Sequence, residues 1–241
     1  MTAIRTERLT KVYRNGALGI ADLDLEVRAG EVLAFVGPNG AGKTTTIRLL
    51  LDFLRPTRGT ASILGLDTRK DSLEVRRRIG FLPGDLALYG SLTGEETLGL
   101  FARLRGERAP TLREELLGWL AIPPDMLRRK VGTLSTGTRQ KIGLLVALQH
   151  NPSLAILDEP TTGLDPLVRR HFHDAIRRWR TQAHTLFLSS HDIAEVELLC
   201  DRVCIVKSGR LAALDTVAGL RAAAPEAASL EEAILSHYAR P

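Results

Sequence analysis

The eight-residue stretch GPNGAGKT, residues 37–44, constrains the fold of this chain more than any other feature of the sequence. It follows the apolar run 32–36 and precedes a segment whose apolar residues recur with helical spacing as far as Pro56. The pattern of glycine, four residues, glycine, lysine and threonine is typical of a loop whose backbone N–H groups cradle phosphates at the start of a helix. The order strand, loop, helix therefore predicts an α/β fold with a phosphate-binding loop at one sheet edge.

In a loop of this kind each side chain has a definite task. Lys43 would reach the β- and γ-phosphates of ATP, and the hydroxyl of Thr44 would ligate Mg²⁺. The alternative is a glycine-rich turn with a purely structural role, which the position between strand and helix disfavours. The other residues expected to bind the nucleotide here are Gly37, Asn39, Gly40, Ala41, Gly42 and Thr45.

The remaining periodicities divide the chain into regions. Strict apolar alternation in the first thirty residues, clearest at 22–27, predicts antiparallel strands with one solvated face. The short apolar runs 154–157 and 185–189, like 32–36, predict parallel strands that are buried on both faces. Between residues 85 and 150 helical periodicity dominates, with helices predicted at 94–104, 112–121 and 139–150, which indicates a helical insertion.

We therefore expect an ATP-binding core, a helical subdomain and a short helical tail. The expected limits are 1–84 with 151–215 for the core, 85–150 for the helical subdomain and 216–241 for the tail. Within the core, residues 202–214 are typical of two strands around a Ser-Gly turn, and the tail contains an amphipathic stretch at 229–238.

Two adjacent carboxylates follow the apolar run at 154–157. At the carboxyl end of a buried strand, Asp158 is expected to hold Mg²⁺ through water, and Glu159 is expected to act as the general base on the attacking water. The alternative is a cap for the next helix. His191 follows the third buried strand in the same way and is a candidate γ-phosphate contact, or otherwise a structural histidine. Tyr13 lies at the end of the first strand, and taken alone its position favours a packing role over that of a base-stacking platform.

The order of these motifs resembles that of the ATP-binding cassette ATPases, over about residues 3–215. The resemblance rests on the phosphate loop at 37–44, the stretch LSTGT at 134–138, the acid-bearing strand at 154–159, GLD at 163–165 and the histidine at 191. We call residues 134–138 the signature loop. The resemblance implies an α/β fold: a P-loop ATPase core with a mixed central sheet, an N-terminal antiparallel β subdomain and an inserted helical subdomain.

The resemblance also implies roles that the residues alone do not establish. In that family the signature loop of one subunit closes on the ATP of the other, so that two chains sandwich two nucleotides head to tail. Ser135 and the Gly137 N–H would then donate to a γ-phosphate, Tyr13 would stack on adenine, and Asp165 would sit at the dimer seam. The expected partners are ATP, a second ATPase subunit (a homodimer) and a separate transmembrane permease.

Three positions depart from the family pattern. The signature loop has Thr136 and Thr138 where Gly and Gln are commoner, although its donors are retained. Gly84 stands where the family usually has Gln or Glu, and it lacks a side chain to contact the metal or the attacking water. Either Asp85 substitutes for it, or hydrolysis and coupling differ in this chain.

Charge and composition exclude several classes of protein. The net charge is +5, but the basic clusters are scattered and lack interleaved aromatic residues, so no nucleic-acid partner is expected. The two cysteines do not have the spacing of a zinc site. No apolar run approaches the length of a membrane span, and the N-terminus lacks the apolar core of a signal peptide. We expect a cytoplasmic protein that associates with the inner face of the membrane through its permease.

Three other functions compete with a transporter motor. Chromosome and repair ATPases of related fold carry long coiled coils or zinc modules between phosphate loop and signature, and this chain has neither. Ribosome-associated members carry two ATP domains, which this length does not accommodate. A regulatory ATP-binding module with altered hydrolysis remains an alternative because of Gly84, although Glu159 argues against it.

The stretches 86–106 and 229–238 look like those of single-domain ATPases of bacterial exporters.

Overall fold

The computed structural model of the chain describes residues 1–106 and 112–239. Its strands are β1 (Thr2–Val12), β2 (Leu18–Arg28), β3 (Val32–Val36), β4 (Arg58–Ile63), β5 (Leu66–Asp67), β6 (Ile79–Leu82), β7 (Leu154–Asp158), β8 (Thr185–Ser190), β9 (Arg202–Lys207) and β10 (Arg210–Thr216). Its helices are α1 (Lys43–Leu50), α2 (Ser72–Arg78), α3 (Gly94–Arg105), α4 (Arg113–Trp119), α5 (Pro124–Leu127), α6 (Thr136–Leu148), α7 (Pro166–Arg180), α8 (Ile193–Leu199), α9 (Val217–Ala222) and α10 (Leu230–Ala239).

The chain forms two compact units. Unit 1 comprises Met1–Arg76 and Thr185–Pro241, and unit 2 comprises Arg77–His184. The division places β6, β7 and α7 with the helical segments, so it does not follow the limits expected from the sequence. Those limits stay a prediction, and residues 107–111 and 240–241, which fall in the expected helical subdomain and tail, lie outside the described residues.

The first part of unit 1 is an antiparallel sheet with strand order β2-β1-β4-β5. On β2, Leu23, Leu25 and Val27 are buried, whereas Asp24 and Glu26 are exposed, which is the alternation expected of a sheet with one wet face. The prediction of antiparallel strands in the first thirty residues is therefore confirmed.

The second part of unit 1 carries the strands in the order β10-β9-β3-β8. Strand β3 runs parallel to both β8 and β9 and is buried along its whole length. Its Phe35 ring lies 5.3 Å from that of Phe187 on β8. Strands β9 and β10 are antiparallel and meet at Ser208 and Gly209, which adopt φ of 48° and 75°, so the expected Ser-Gly turn is confirmed.

The C-terminal tail belongs to the core of unit 1. Leu220 of α9 and Leu230 and Ile234 of α10 are buried in one cluster with Val36 and Val196. Val36 is the residue that precedes the phosphate loop. The tail therefore covers the end of β3 rather than extending from the fold.

In unit 2, β6 and β7 form a parallel pair, and every residue of β7 is buried. Helix α6, expected at 139–150, begins three residues earlier because the Ser135 side chain caps it by accepting from the Thr138 N–H at 3.2 Å.

Among the described residues, no helix has the length and apolarity required to cross a bilayer.

Candidate functional site

Two glycines of the phosphate loop in unit 1 leave no room for a side chain. Gly42, the N-cap of α1, has φ of 108°, and a Cβ there would collide with the carbonyl oxygen of Gly19. A Cβ on Gly37 would likewise meet the carbonyl oxygen of Val206. The loop is thus packed against the neighbouring strands, and its backbone is held in one conformation between β3 and α1.

Lys43 lies across this loop. Its residue is only 6% exposed, and its Nζ donates to the carbonyl oxygen of Gly37 at 2.8 Å. A lysine in the first turn of a helix faces the positive end of the helix dipole, which is unfavourable unless an anion is nearby. The side chain is therefore placed where a phosphate would relieve this repulsion.

The hydroxyls of α1 have different partners. Thr44 is exposed in the first turn of the helix, whereas Thr46 is buried and donates to the carbonyl of Gly42 at 3.0 Å. Asn39 and Gly40, at the tip of the loop, are exposed. The exposed hydroxyl of Thr44 is thus an oxygen ligand of the kind that Mg²⁺ prefers.

Tyr13 is 37% exposed and stands next to this helix. Its hydroxyl lies 3.0 Å from the hydroxyl of Thr45. Its ring edge closes against Gly19, where an added Cβ would come within 2.9 Å of Tyr13 Cε2. An aromatic ring fixed in this way beside a phosphate loop is suited to stacking on a nucleobase.

His191 follows β8 and is exposed. It lines a cavity of about 150 Å³ together with Gly37 and Pro38, whose other wall is α10, with Glu231, Ile234 and Tyr238. Unit 1 thus brings the histidine and the start of the phosphate loop to one cavity. The sequence placed His191 at this sheet edge and predicted the amphipathic helix at 229–238, but it did not indicate that this helix, α10, lines the same cavity, because amphipathic spacing does not show what a helix packs against.

The two acids of unit 2 differ in exposure and backbone. Asp158, the last residue of β7, is 5% exposed, and Glu159 is partly exposed with φ of 46°. The Glu159 carboxylate accepts a hydrogen bond from the Thr162 hydroxyl at 3.3 Å. A left-handed glutamate costs about 1–3 kcal/mol and persists where function or packing demands it. The two adjacent acids therefore differ in their access to solvent.

The signature loop lies at the start of α6, also in unit 2. Ser135 is exposed, and its hydroxyl lies 2.9 Å from that of Thr138. Gly137 is in the first turn, where backbone N–H groups lack helical partners. Arg139 braces the loop by donating to the carbonyl of Leu134 at 2.6 Å and to the Thr136 hydroxyl at 3.0 Å. The loop therefore offers hydroxyl and N–H donors to an anion.

Asp165 is exposed and caps α7, with its carboxylate accepting from the Val168 N–H at 2.9 Å. Gly84, in the same unit, lies against the metal-ligand candidate Asp158. A Cβ at this position would be 3.0 Å from the Asp158 carbonyl oxygen. Glycine at this point therefore permits a close approach that a side chain would disturb.

Comparison with known proteins shows which family the chain belongs to. The protein-family model described as ABC transporter matches residues 20–162, more than half of the chain. The chain belongs to the ABC transporter family. The match includes the phosphate loop, the signature loop and both acids, so the resemblance inferred from the motifs is confirmed.

Relatives and solved structures agree with this assignment. This ABC chain is 38% identical to the bacitracin transport ATP-binding protein BcrA of Bacillus licheniformis, over 87% of the chain and 68% of BcrA. It is also 38% identical to the daunorubicin/doxorubicin resistance ATP-binding protein DrrA of Streptomyces peucetius, over 91% of the chain and 67% of DrrA. A solved ATP binding subunit of an ABC transporter superimposes with a TM-score of 0.88 at 30% identity, covering 98% of this chain and 99% of that one.

A dimeric bacterial ABC transporter cassette superimposes with a TM-score of 0.81 at 23% identity, covering 88% of this chain and 98% of that one, and so supports the fold. Together these findings make the protein an ATP-binding ATPase subunit of an ABC transporter with the expected α/β fold. The roles of individual residues in this ABC ATPase stay predictions.

Proposed function

We propose that this chain is the ATP-hydrolysing motor of an exporter whose membrane-spanning permease is a separate protein. Support comes from relatives named for bacitracin transport and for daunorubicin/doxorubicin resistance. In this proposal the chain lies in the cytoplasm against the inner face of the membrane, where the permease holds it. The cargo class is that of drugs, lipids or polysaccharides.

Two copies would work head to tail. The phosphate loop of one copy would hold ATP, and the donors of Ser135 and Gly137 of the other would close on its γ-phosphate. Phosphoryl transfer depends on positioning and charge stabilisation, and donors at a helix N-terminus supply both. Asp165, which is exposed at the start of α7, would lie at the seam.

Within one site, Lys43 would contact the β- and γ-phosphates, and Tyr13 would stack on adenine. Thr44 and Asp158 would hold Mg²⁺, because a hydroxyl and a carboxylate are the hard oxygen ligands that this ion takes alongside substrate phosphates. When bound, the ion would offset negative charge on the phosphate oxygens. His191 would donate to the γ-phosphate.

In the chemical step, the oxygen of a water attacks the γ-phosphorus while the bond to the bridging oxygen of ADP breaks. Glu159 takes the proton of that water, which leaves ADP and inorganic phosphate. The observation that carries this assignment is the left-handed turn at Glu159, φ 46°, immediately after the buried Asp158. Asp158 is buried at the end of β7, whereas Glu159 is partly exposed and so accessible to a water molecule.

The test is Glu159→Gln, which keeps the size and hydrogen bonds of the side chain but cannot take a proton. We expect it to bind ATP like the unaltered protein, to lose at least about a hundredfold in turnover and to accumulate as an ATP-bound dimer. Thr162→Val, which removes only the hydroxyl beside Glu159, is the matched control and should retain most of the activity. Undiminished hydrolysis by Glu159→Gln would remove the base assignment.

The transporter assignment has its own test. The full chain is used to capture partners from detergent-solubilised membranes of its host. A stoichiometric polytopic partner is expected. If only a soluble partner is captured while the chain still binds ATP, the result would favour the alternative function of a regulatory ATP-binding module, with which Gly84 is compatible.

A further inference from the structure

Helices α6 and α7 are joined by contacts near the signature loop. The Gln140 amide donates to the Pro160 carbonyl at 2.9 Å, which ties α6 to the residue that follows Glu159. One turn earlier, Gly137 packs on Val168, where an added Cβ would lie 3.1 Å from the valine methyl. The start of α6 is therefore linked to the segment that carries Glu159 and Asp165.

Lys141 continues this line of contacts. It is only 8% exposed, and its Nζ lies 3.0 Å from Nδ1 of His171 on α7. Because an ammonium only donates, His171 accepts through Nδ1 and carries its proton on Nε2. Burial lowers the pKa of Lys141, while the Asp165 carboxylate opposes that shift. The Lys141 ammonium thus lies beside an imidazole nitrogen and within the electrostatic influence of the Asp165 carboxylate.

The surroundings of His171 disfavour its protonation. Burial lowers its pKa first, followed by the charge of Lys141, while Arg170 acts in the same direction and Asp174 and Asp165 act against them. Helix α4 also packs on α7. Its charged residues are turned elsewhere: Arg113 pairs with Gln149 and Glu95, and Glu114 and Glu115 are exposed.

We propose that Lys141 and His171 form a positioning pair, which holds the signature end of α6 against the segment that carries Asp165 and releases it when His171 is protonated. The proposal rests on the signature loop acting on ATP, as proposed above. A proton on Nδ1 would turn the hydrogen bond into a contact between two cations. The pair therefore makes the closing of the signature loop sensitive to acid.

The experiment measures ATPase activity, ATP-dependent dimerisation and the affinity for a fluorescent ATP analogue, for the full chain, at about pH 7.5 and about pH 5.5. His171→Gln keeps an acceptor for Lys141 but cannot be protonated in this range. At the higher pH this variant should retain most of the activity of the unaltered protein. The fraction of that activity which remains at the lower pH should be several-fold larger for the variant than for the unaltered protein. Nucleotide affinity should be the same in both proteins.

Two lysine variants separate positioning from folding. Lys141→Met keeps the apolar stem and loses the donor, and we expect turnover and dimerisation to fall about tenfold with nucleotide affinity unchanged. Lys141→Arg restores a cationic donor and should recover most of that loss. If Lys141→Arg is as impaired as Lys141→Met, or if His171→Gln declines with acid as steeply as the unaltered protein, the pair is only a packing contact.

Ser135→Arg distinguishes this failure from failure of the proposed function. If Ser135→Arg hydrolyses ATP normally, the signature loop does not act on ATP, and the proposed function fails with the inference. If Ser135→Arg is inactive while Lys141→Arg is as impaired as Lys141→Met, or while His171→Gln declines with acid like the unaltered protein, only the inference is overturned.

Discussion

The hydroxyl oxygens of Tyr13 and Thr45 lie 3.0 Å apart, which ties the expected adenine platform to the first turn of α1. Tyr13→Ala removes the ring, and we expect it to weaken nucleotide binding by about 1–3 kcal/mol, the usual value of stacking a base on an aromatic side chain. Tyr13→Phe keeps the ring and loses only the hydroxyl bond, so its affinity should fall much less. Isothermal titration with ATP measures both. Equal affinities for the Ala variant and the unaltered protein would assign Tyr13 to packing alone.

The head-to-tail arrangement predicts complementation between two inactive chains. Ser135→Arg places a bulky cation in the signature loop, and Lys43→Ala removes the phosphate contact, so each homodimer lacks both complete sites. A mixed dimer would contain one site with an intact phosphate loop and an intact signature loop. We expect mixing to restore measurable hydrolysis, followed as phosphate release against mixing ratio. A mixture as inactive as its parents would argue against a shared site.

Much of the core could be predicted because its signals are local. Strand β3 appears as a continuous apolar run, and α1 follows from the glycine pattern and helical spacing. The start of α6 was predicted too late, because Thr136, Gly137 and Thr138 are poor helix formers, and only the cap made by Ser135 commits them to the helix. The hydrogen bond of the Ser135 cap therefore outweighs the low helix propensity of these three residues.

The site was predictable in composition but not in geometry. The motifs identified Asp158 and Glu159, whereas the left-handed backbone conformation of Glu159 has no signature in residue type, since non-glycine residues rarely adopt it. The pairing of Lys141 with His171 joins residues 30 positions apart and depends on how α6 meets α7. Such contacts arise from tertiary packing, which one sequence does not reveal.

Gly84 allows a test of the departure from the family pattern. Both Gly84→Ala and Gly84→Gln introduce a Cβ that would lie 3.0 Å from the Asp158 carbonyl oxygen, so their steric cost is shared. Only the glutamine adds an amide that could orient water. We expect both variants to shift Asp158 by a few tenths of an ångström, but the Gln variant to hydrolyse ATP several-fold faster than the Ala variant. Equal rates would show that this position acts only through its closeness to Asp158.

His150 predicts how stability depends on pH. Burial, together with the charge of Arg105, lowers its pKa from 6.5 to about 4. Its Nε2 lies 3.2 Å from the carbonyl oxygen of Ile79, and among the described residues its buried Nδ1 has no hydrogen-bond partner. A second proton would therefore occupy a buried nitrogen without an acceptor.

Because the unfolded chain takes up this proton near pH 6.5 and the folded chain only near pH 4, stability should fall as the pH drops through this window. The full effect of the shift is about 3 kcal/mol. His150→Gln keeps a donor for the Ile79 carbonyl and does not titrate, so its urea midpoint should change less between pH 7 and pH 5 than that of the unaltered protein. Comparing the two proteins cancels other titrating groups, His171 included. Parallel curves would show that His150 is protonated at no cost to the fold.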